Sequence, residues 1–237
     1  MKIRDVLKKL PFGIATKIIL LKLVNKILGN FTSFFYSQTG EDVIISTLLG
    51  HKKNGFYLDI GCNEPIRYSN TFHLYLNGWK GICIDANDDL VKKFKRVRPL
   101  DLCLRNAISD EEEEVPLYIS GQNLVSTINK EFRHEWHKDW ISSEKIEYIK
   151  TVKLDTILEE NLKSGLEIDL LTVDVEGQDY QVLKSINLDK YKPKLIVVEL
   201  HDFDLNNFTM NPVYTYLSKY GYTLKNYATM NGYFIRN

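Results

Sequence analysis

The chain has 237 residues, of which 44% are hydrophobic and 12% aromatic, so it can bury a full core and is not a disordered chain. Its 31 basic residues balance its 31 acidic residues, and a chain without net charge is not expected to have nucleic acid as its main partner. The length fits one large domain, or one domain with an appendage.

The first 36 residues differ from the rest and predict an N-terminal amphipathic helical extension. In residues 15–29, ATKIILLKLVNKILG, a helical wheel places Lys22, Asn25 and Lys26 on one narrow arc among isoleucines and leucines. The apolar run is too short to cross a bilayer, and no small-residue cleavage site follows it, so a secretory signal is not expected. Two interpretations stay open: the helix docks on its own domain or on a second subunit, or it lies on a membrane surface.

From residue 55 onward, short apolar runs alternate with amphipathic stretches. The first five predicted elements are a strand, a helix, a strand, a helix and a strand, over residues 55–62, 69–77, 80–87, 88–97 and 100–109. Each predicted strand contains one cysteine: Cys62, Cys83 or Cys103. Their odd number and the lack of a C-x-x-C pair argue against disulfide bonds and a zinc site, and favour a reducing, cytoplasmic location.

The alternation is interrupted once and then resumes. Five consecutive acids at residues 110–114 predict a solvated turn before a strand. Residues 121–148 contain two tryptophans and two histidines and break the rhythm, which indicates a substrate-facing insertion. The later elements are a strand and helix over 152–162, a strand at 168–177, a helix at 178–186, a strand at 193–202, a helix at 212–221 and a closing hairpin. The pattern predicts an α/β fold, with a doubly wound, mostly parallel sheet and helices on both faces.

Polar residues follow the predicted strands, at the edge where ligands bind in this architecture. These strand-end residues are Asp59, Gly61, Asn63, Asp85, Asn87, Asn106, Asp174, Glu176, Glu199, His201 and Asp202. Core packing gives little reason for so many acids to converge on one edge. The sequence therefore predicts a ligand site there.

The loop after the first strand contains one glycine. A dinucleotide site needs G-x-G-x-x-G, whereas this loop reads Gly61, Cys62, Asn63, Glu64, Pro65. Glu64 would repel a pyrophosphate, and Pro65 has no amide hydrogen to donate. S-adenosylmethionine has no phosphates and is a sulfonium cation, so one glycine turn suffices for it. An acid near the turn can form an ion pair with its ammonium group, and an acid after the second strand can accept hydrogen bonds from its ribose hydroxyls.

Six ordered segments resemble the FkbM family of S-adenosylmethionine-dependent methyltransferases. They are SQTGEDVII (37–45), YLDIGCNEPIRYSNTFHLYLNGWKGICIDAN (57–87), RNAIS (105–109), VKLDTIL (152–158), IDLLTVDVEGQDYQVLKSI (168–186) and KLIVVELHD (194–202). The resemblance implies one methyltransferase domain over residues 37–237. It also implies a class I (Rossmann-like) fold, whose seven-stranded sheet has an antiparallel last strand, and methyl transfer to a hydroxyl, commonly of a sugar or a secondary metabolite. One departure is Pro65, where many relatives have glycine.

The resemblance also implies which residues bind the cofactor. Expected around it are Asp59, Gly61 and Asn63 at the methionine end, Asp85 and its neighbour Ala86 at the ribose, Asn106 with Ala107 at the adenine, and Asp174. Ser69 and Asn70 match the family's SN pair at the start of the first helix. Gln38 and Glu41 either begin a helix or lie at the cofactor or substrate edge, and the resemblance favours the edge.

Methyl transfer to a hydroxyl needs alignment and a base that removes the hydroxyl proton. We predict that His201, two residues past Glu199 at the same strand end, is this base. Asp174 and Glu176 are then expected to position the substrate or cofactor. A competing interpretation places Mg²⁺ between Asp174 and Glu199, where it would acidify the hydroxyl. In a third interpretation His201 is only a hydrogen-bonded residue at a strand end.

The sequence leaves the acceptor open. A sugar is expected first, and the alternatives are a non-sugar hydroxyl or a binding module that keeps the fold without catalysis. Trp136 and Trp140 suit sugars and other flat ligands equally. His134 and His137, three residues apart on a predicted helix, do not form H-E-x-x-H, which favours a surface or substrate-facing role over zinc.

Overall fold

The protein is described by a computed structural model that covers residues 3–30, 34–120, 125–135 and 145–237. Its helices are α1 (Ile3–Lys9), α2 (Phe12–Ile27), α3 (Glu41–Leu48), α4 (Phe72–Leu76), α5 (Asp88–Val97), α6 (Lys130–Glu135), α7 (Leu154–Asn161), α8 (Asp179–Lys184), α9 (Leu188–Tyr191) and α10 (Pro212–Lys219). Its strands are β1 (Phe56–Ile60), β2 (Lys80–Asp85), β3 (Leu102–Arg105), β4 (Ala107–Ile108), β5 (Glu114–Ile119), β6 (Ser126–Thr127), β7 (Lys145–Val152), β8 (Leu170–Val173), β9 (Leu195–Glu199), β10 (Tyr222–Ala228) and β11 (Asn231–Arg236).

The main sheet has seven strands in the order β10-β11-β9-β8-β1-β2-β3. The strands β3, β2, β1, β8 and β9 run parallel, and β11 lies antiparallel between β9 and β10. This confirms the predicted mostly parallel sheet with an antiparallel last strand. The strand order reverses between β1 and β8, so the carboxyl ends of these two strands mark the expected ligand position.

Apolar side chains cover both faces of this sheet because its strands are buried along their length. On one face Leu58 and Ile60 of β1 pack with residues of α7, α8 and α10. On the other face Tyr57 of β1 and Cys83 of β2 pack with residues of α3, α4 and α5. The three cysteines are buried free thiols, which agrees with their predicted place in the core.

A second, four-stranded sheet in the order β4-β7-β5-β6 lies beside the main one. It corrects the prediction of one continuous strand over residues 100–109, because β3 belongs to the main sheet and β4 pairs with β7. The chain divides at Asn106, whose backbone N–H donates to the Asp85 carbonyl while the next two residues turn to β7. The strand predicted to start at residue 152 instead begins at Lys145 as a partner of β5.

The helices α1 and α2 pack on the domain that follows them. Val6, Leu10, Ala15 and Ile18 form a buried cluster with residues of α4 and with Val97 of α5. The Tyr75 hydroxyl donates to the Lys9 carbonyl at 2.7 Å, and Lys9 Nζ donates to the Leu76 carbonyl at 3.0 Å. Within the described ranges, no helix is both long enough and apolar enough to cross a membrane.

A buried ion pair between Arg98 and Asp101 connects the end of α5 to both neighbouring strands. Arg98 is 0% exposed, and its Nε donates to Asp101 Oδ2 at 2.7 Å. Asp101 also accepts from the Tyr57 hydroxyl of β1 and from the Gly81 N–H of β2. A second arm of Arg98 donates to the Thr71 hydroxyl, which itself donates to Asp59. The pair therefore fixes the start of α4 and the Asp59 carboxyl beneath the candidate site.

Candidate active site

A cleft of about 670 Å³, its open mouth included, lies at the carboxyl ends of β1, β2 and β8. The predicted site residues that line it are Gly61, Asn63, Asp85, Ala86, Asn106, Ala107, Asp174 and Glu176. The wall opposite includes Leu117 and Gln178, which the sequence did not predict. It also includes Val125, Ser126, Thr127 and Ile128, which belong to the segment 121–148 that was expected to face the substrate.

Gly61 is required by the packing of the main chain. Its φ is +78°, and a Cβ at this position would lie 1.8 Å from the Asp174 carbonyl oxygen of the adjacent strand end. No side chain fits there without moving the β8 end. The packing of the two strand ends therefore requires a glycine here, whether or not a ligand passes the turn. Glu64, expected to repel phosphate, does not line the cleft and instead pairs with Lys93 of α5.

Asp85 holds the loop after β1 and the start of α5 in place. One carboxylate oxygen accepts from Asn63 N–H at 2.9 Å and the other from Asn87 N–H at 2.8 Å. Burial raises the pKa of Asp85 to about 6, although these two bonds oppose the shift. Each carboxylate oxygen has a further lone pair, so Asp85 can also accept from hydroxyl groups in the cleft.

Glu176 is held at the cleft by an unusual main-chain conformation. Its φ is +56°, uncommon for a residue with a side chain, and its carbonyl accepts from the Thr127 hydroxyl at 2.8 Å. The next carbonyl, of Gly177, accepts from Asn129 Nδ2 at 3.1 Å. Hydrogen bonds from Thr127 and Asn129, which precede α6, therefore hold the acidic loop after β8 in place.

The two acids after β8 have raised pKa values. Burial and the charges of Glu199 and Asp179 raise the pKa of Glu176 to about 7. Asp174 is open to the cleft but lies among four other carboxyls, and burial followed by these charges raises its pKa well above the ordinary value. Carboxyls with raised pKa values that share one cleft are common in enzyme active sites.

His201 lies between two carboxylates and does not line the cleft. Its Nε2 is 3.1 Å from Glu199 Oε2 and 3.7 Å from Asp179 Oδ2, and neither contact has the geometry of a hydrogen bond, so both are electrostatic. Asp179 and then Glu199 raise the pKa of His201 to about 10, against the opposite effect of burial. Because an imidazolium cannot accept a proton, this arrangement argues against the predicted role of His201 as the base at neutral pH.

Among the described residues, one group has the spacing of a metal site. Asp179, Glu199 and His201 each offer one ligand atom, and these atoms lie within 4.8 Å of one another. Asp174, which the sequence paired with Glu199 around Mg²⁺, is not part of this group. Asp179 was not predicted at all. An acid in the first turn of a helix looks like ordinary helix-start chemistry, so its sequence position gave no signal.

Four of the predicted cofactor residues lie outside the cleft. Asp59 is buried with a pKa raised by burial to about 6, and it accepts from the Thr71 hydroxyl. Ser69 accepts from Phe72 N–H and from Arg98, so it caps α4 from within the core. Asn70 Nδ2 donates to the Thr172 hydroxyl at 3.2 Å. For these three residues the structure shows structural bonds and no open access to the cleft.

Gln38, the fourth of these residues, is exposed. It lies in a segment, residues 37–42, whose side chains form hydrogen bonds with one another. Glu41 accepts from Thr39, and Ser37 donates to Asp42 at 2.9 Å. These contacts lower the pKa of Glu41 although burial opposes the shift. The helix-start interpretation of this segment therefore fits better than the expected place at the cofactor edge.

The described part of the segment 121–148 lies over the acids of the site. Its residues 125–128 line the cleft, and the Phe132 ring of α6 stands edge-on to His201 at 5.3 Å. A Cβ on Gly177 would lie 2.8 Å from this same ring. Trp136, His137 and Trp140, and the side chain of His134, lie outside the described part of the chain.

The seven-stranded sheet with antiparallel β11, and the cleft at the ends of β1, β2 and β8, define the class I methyltransferase fold. The sequence profile described as the methyltransferase FkbM domain matches residues 59–224, which is more than half of the chain. The chain belongs to the FkbM methyltransferase family, whose members use S-adenosylmethionine.

Two solved structures are similar to this chain at low identity. One is a TehB-like SAM-dependent methyltransferase from Corynebacterium glutamicum ATCC 13032 Kitasato, with 11% identity, a TM-score of 0.44, and coverage of 94% of this chain and 99% of that one. The other is methyltransferase FkbM from Methylobacillus flagellatus KT, with 9% identity and a TM-score of 0.49. That match covers 77% of this chain but 44% of the other protein. The sequence has no significant match among curated proteins.

Proposed function

We propose that this protein transfers a methyl group from S-adenosylmethionine to a hydroxyl of a sugar, either nucleotide-activated or part of a glycan. One observation carries the proposal. A single cleft joins the residues that suit the cofactor, Gly61, Asp85 and Asn106, to the acids that suit proton removal, Asp174 and Glu176. We place the reaction in the cytoplasm, because the three cysteines are free thiols.

The residues on the β1 and β2 side of the cleft fit the cofactor. Asp85 would accept from the two ribose hydroxyls, and Asn106 with Ala107 would flank the adenine. Gly61 and Asn63 would line the methionine end, where the close approach of main chain leaves no room for a side chain. When bound, S-adenosylmethionine supplies an electrophilic methyl group on a sulfonium, which leaves as a neutral thioether.

Glu176 is the base in this proposal, in place of His201. It lines the cleft, and its pKa of about 7 lets it hold a proton and release it near neutral pH. Asp174, whose pKa is raised by burial and by the neighbouring carboxyls, would hold the methyl acceptor by a hydrogen bond to one of its oxygens. His201 would stay an imidazolium and hold Glu199 and Asp179 in place by charge. This cation also lowers the pKa of Glu176.

Several polar groups at the acid end of the cleft favour a sugar over an apolar acceptor. Carboxyls of Asp174 and Glu176, the Gln178 amide and the Thr127 hydroxyl all border it. Such groups bind neighbouring hydroxyls by paired hydrogen bonds. A non-sugar hydroxyl compound remains the alternative substrate, and a binding module without turnover is the alternative function.

The first test measures S-adenosylhomocysteine formed with a panel of sugar nucleotides and glycans, corrected for hydrolysis, with and without EDTA. We expect turnover with at least one sugar and no effect of EDTA, because the His201 cation already offsets part of the negative charge of the two carboxylates that a metal would bind. Loss of activity in EDTA that Mn²⁺ or Zn²⁺ restores would instead assign Asp179, Glu199 and His201 to a metal. Cofactor binding without turnover on any acceptor would support the binding module.

Replacement of Asp85 tests the cofactor half of the cleft. In Asp85→Ala we expect S-adenosylmethionine to bind roughly 10- to 100-fold more weakly, because bonds to a charged group contribute about 1.5–3 kcal/mol. Calorimetric titration measures this affinity, and thermal unfolding shows whether the variant is folded. Asp89→Asn, an exposed acid on the same helix start, is the matched control and should bind as the parent does. Equal affinity in the Asp85→Ala variant would contradict the proposed ribose contact.

A further inference from the structure

The helix α2 presents a broad apolar face to solvent. Ala15 and Ile18 are buried against the domain. The large apolar side chains that remain exposed on the helix and its C-cap are Phe12, Leu20, Leu21, Leu23, Val24, Ile27 and Leu28. At 3.6 residues per turn they cover roughly half of the helix circumference. We call these seven side chains the outer face.

The outer face is strongly exposed for its size. Phe12 is 77% exposed, Ile27 74% and Leu20 61%. Single exposed apolar residues are ordinary on protein surfaces, but a contiguous group of this extent marks an interaction site. We therefore expect the outer face to bind another surface.

The polar arc predicted from the sequence does not lie on the outer face. Lys22 is seven residues from Ala15 and four from Ile18, so it falls on the docked side of the helix. Lys22 lines a surface depression there with Phe34, Asp42 and His73. The usual amphipathic arrangement is thus reversed at this end of α2, with the apolar side directed outward.

The charge of this region is of one sign. Residues 6–40 contain five lysines, at positions 8, 9, 17, 22 and 26, and no aspartate or glutamate. Lys8, Lys17 and Lys26 are exposed. A basic helix with an unpartnered apolar face is typical of helices that lie in the interface of an anionic bilayer.

A second copy of the chain suits this face less well. Paired helices use a narrow apolar seam, and acids opposite the flanking lysines set the pairing. The outer face is wide, and a symmetric pair of α2 helices would bring lysines together without a counter-charge. Anionic headgroups supply that counter-charge.

We propose that the outer face of α2 docks this protein on an anionic membrane surface, with the apolar side chains in the headgroup boundary and the lysines on acidic lipids. The proposal does not depend on the methyl acceptor.

Vesicle co-sedimentation of the full chain tests this docking. We expect binding to vesicles of phosphatidylcholine with phosphatidylglycerol, weak binding to phosphatidylcholine alone, and loss of binding at high salt. The triple variant Leu20→Gln, Val24→Gln, Ile27→Gln should lose binding to background. The double variant Lys17→Gln, Lys26→Gln should bind the anionic vesicles roughly 30-fold more weakly.

The matched control is the triple variant Tyr148→Gln, Leu205→Gln, Met210→Gln. It removes three equally exposed side chains from other elements and should bind vesicles as the parent does. Thermal unfolding and S-adenosylmethionine binding should be the same in all variants, since none of these residues packs in the core. Two results would overturn the proposal. One is that the parent does not bind the anionic vesicles, or that the α2 triple variant binds them as well as the parent does. The other is a dimer of the parent that this variant converts to monomer.

Discussion

Glu176→Gln should lower kcat for methyl transfer by roughly 10²- to 10⁴-fold, the usual contribution of a general base. The amide has nearly the shape of the carboxylate but cannot accept the hydroxyl proton. Binding of S-adenosylmethionine should change little, because the proposed cofactor contacts lie on the β1 and β2 side of the cleft. Steady-state formation of S-adenosylhomocysteine, with calorimetric titration of the cofactor, measures both quantities.

The dependence of kcat/KM on pH tests the same assignment of Glu176 as the base. A base with a pKa of about 7 is deprotonated above that pH, so kcat/KM of the parent should rise with pH up to about 7 and then level off. In Glu176→Gln this rise should disappear. His201→Asn removes a cation that lowers the pKa of Glu176, so in that variant the rise should persist and move to higher pH.

Two controls distinguish a base from a merely structural residue. Glu112→Gln changes an exposed acid far from the cleft and should leave both the rate and the profile as in the parent. Thermal unfolding of Glu176→Gln should stay close to that of the parent. The assignment to Glu176 fails if the rise persists in Glu176→Gln and vanishes in His201→Asn, because His201 would then be the base.

Arg98→Met should lower the free energy of unfolding by about 3–5 kcal/mol, the cost of leaving one partner of a buried ion pair alone. The methionine fills the volume of the side chain but leaves the Asp101 carboxylate without its counter-charge in the core. Urea unfolding followed by circular dichroism measures the loss. Because the arginine also bonds to Ser69 and Thr71, the start of α4 should loosen with it.

The loss should depend on pH. Burial raises the pKa of Asp101 and Arg98 lowers it, so without the arginine the folded-state pKa rises further above its unfolded value. Such a group contributes stability below its unfolded pKa and loses it as the pH rises through the folded pKa. The deficit of Arg98→Met should therefore shrink in acid. Arg96→Met, an exposed arginine in the same last turn, should change stability by no more than about 0.5 kcal/mol. An equally small change in Arg98→Met would contradict the proposed role of the pair.

Much of the fold follows from local patterns in the sequence. The strands β1, β2, β8 and β9 are short apolar runs bounded by polar residues, and the intervening helices have their own apolar period, so their order along the chain predicts the sheet. The strand boundaries that were predicted wrongly are those set by pairing with a strand distant in the sequence. The break at Asn106 depends on a contact between residues 107–108 and 151–152, and the early start of β7 depends on its pairing with β5, and no local pattern encodes either contact.

The site follows a similar division. Strand-end polar residues are predictable, because parallel strands bring their carboxyl ends to one edge, and Gly61, Asp85, Asn106, Asp174 and Glu176 do lie together there. Asp59, Ser69 and Asn70 come from the same segments, but their side chains point into the packed layer beneath. The spacing of residues along a strand predicts which of them lie at the edge of the sheet. The direction in which their side chains point also depends on the helix that follows the strand.

By itself, then, the sequence determined the α/β class, the sheet edge that carries the cleft, and a cofactor without phosphates, since all three depend on residue types at local spacings. Only the tertiary structure decided which acids meet, and with them the protonation of His201 and Glu176. A pKa depends on burial and on charges within a few ångströms, and these come from Asp179, Glu199 and the acids after β8, which lie on separate elements. The same holds for Gly61, whose requirement comes from the carbonyl of Asp174 on a strand far along the chain.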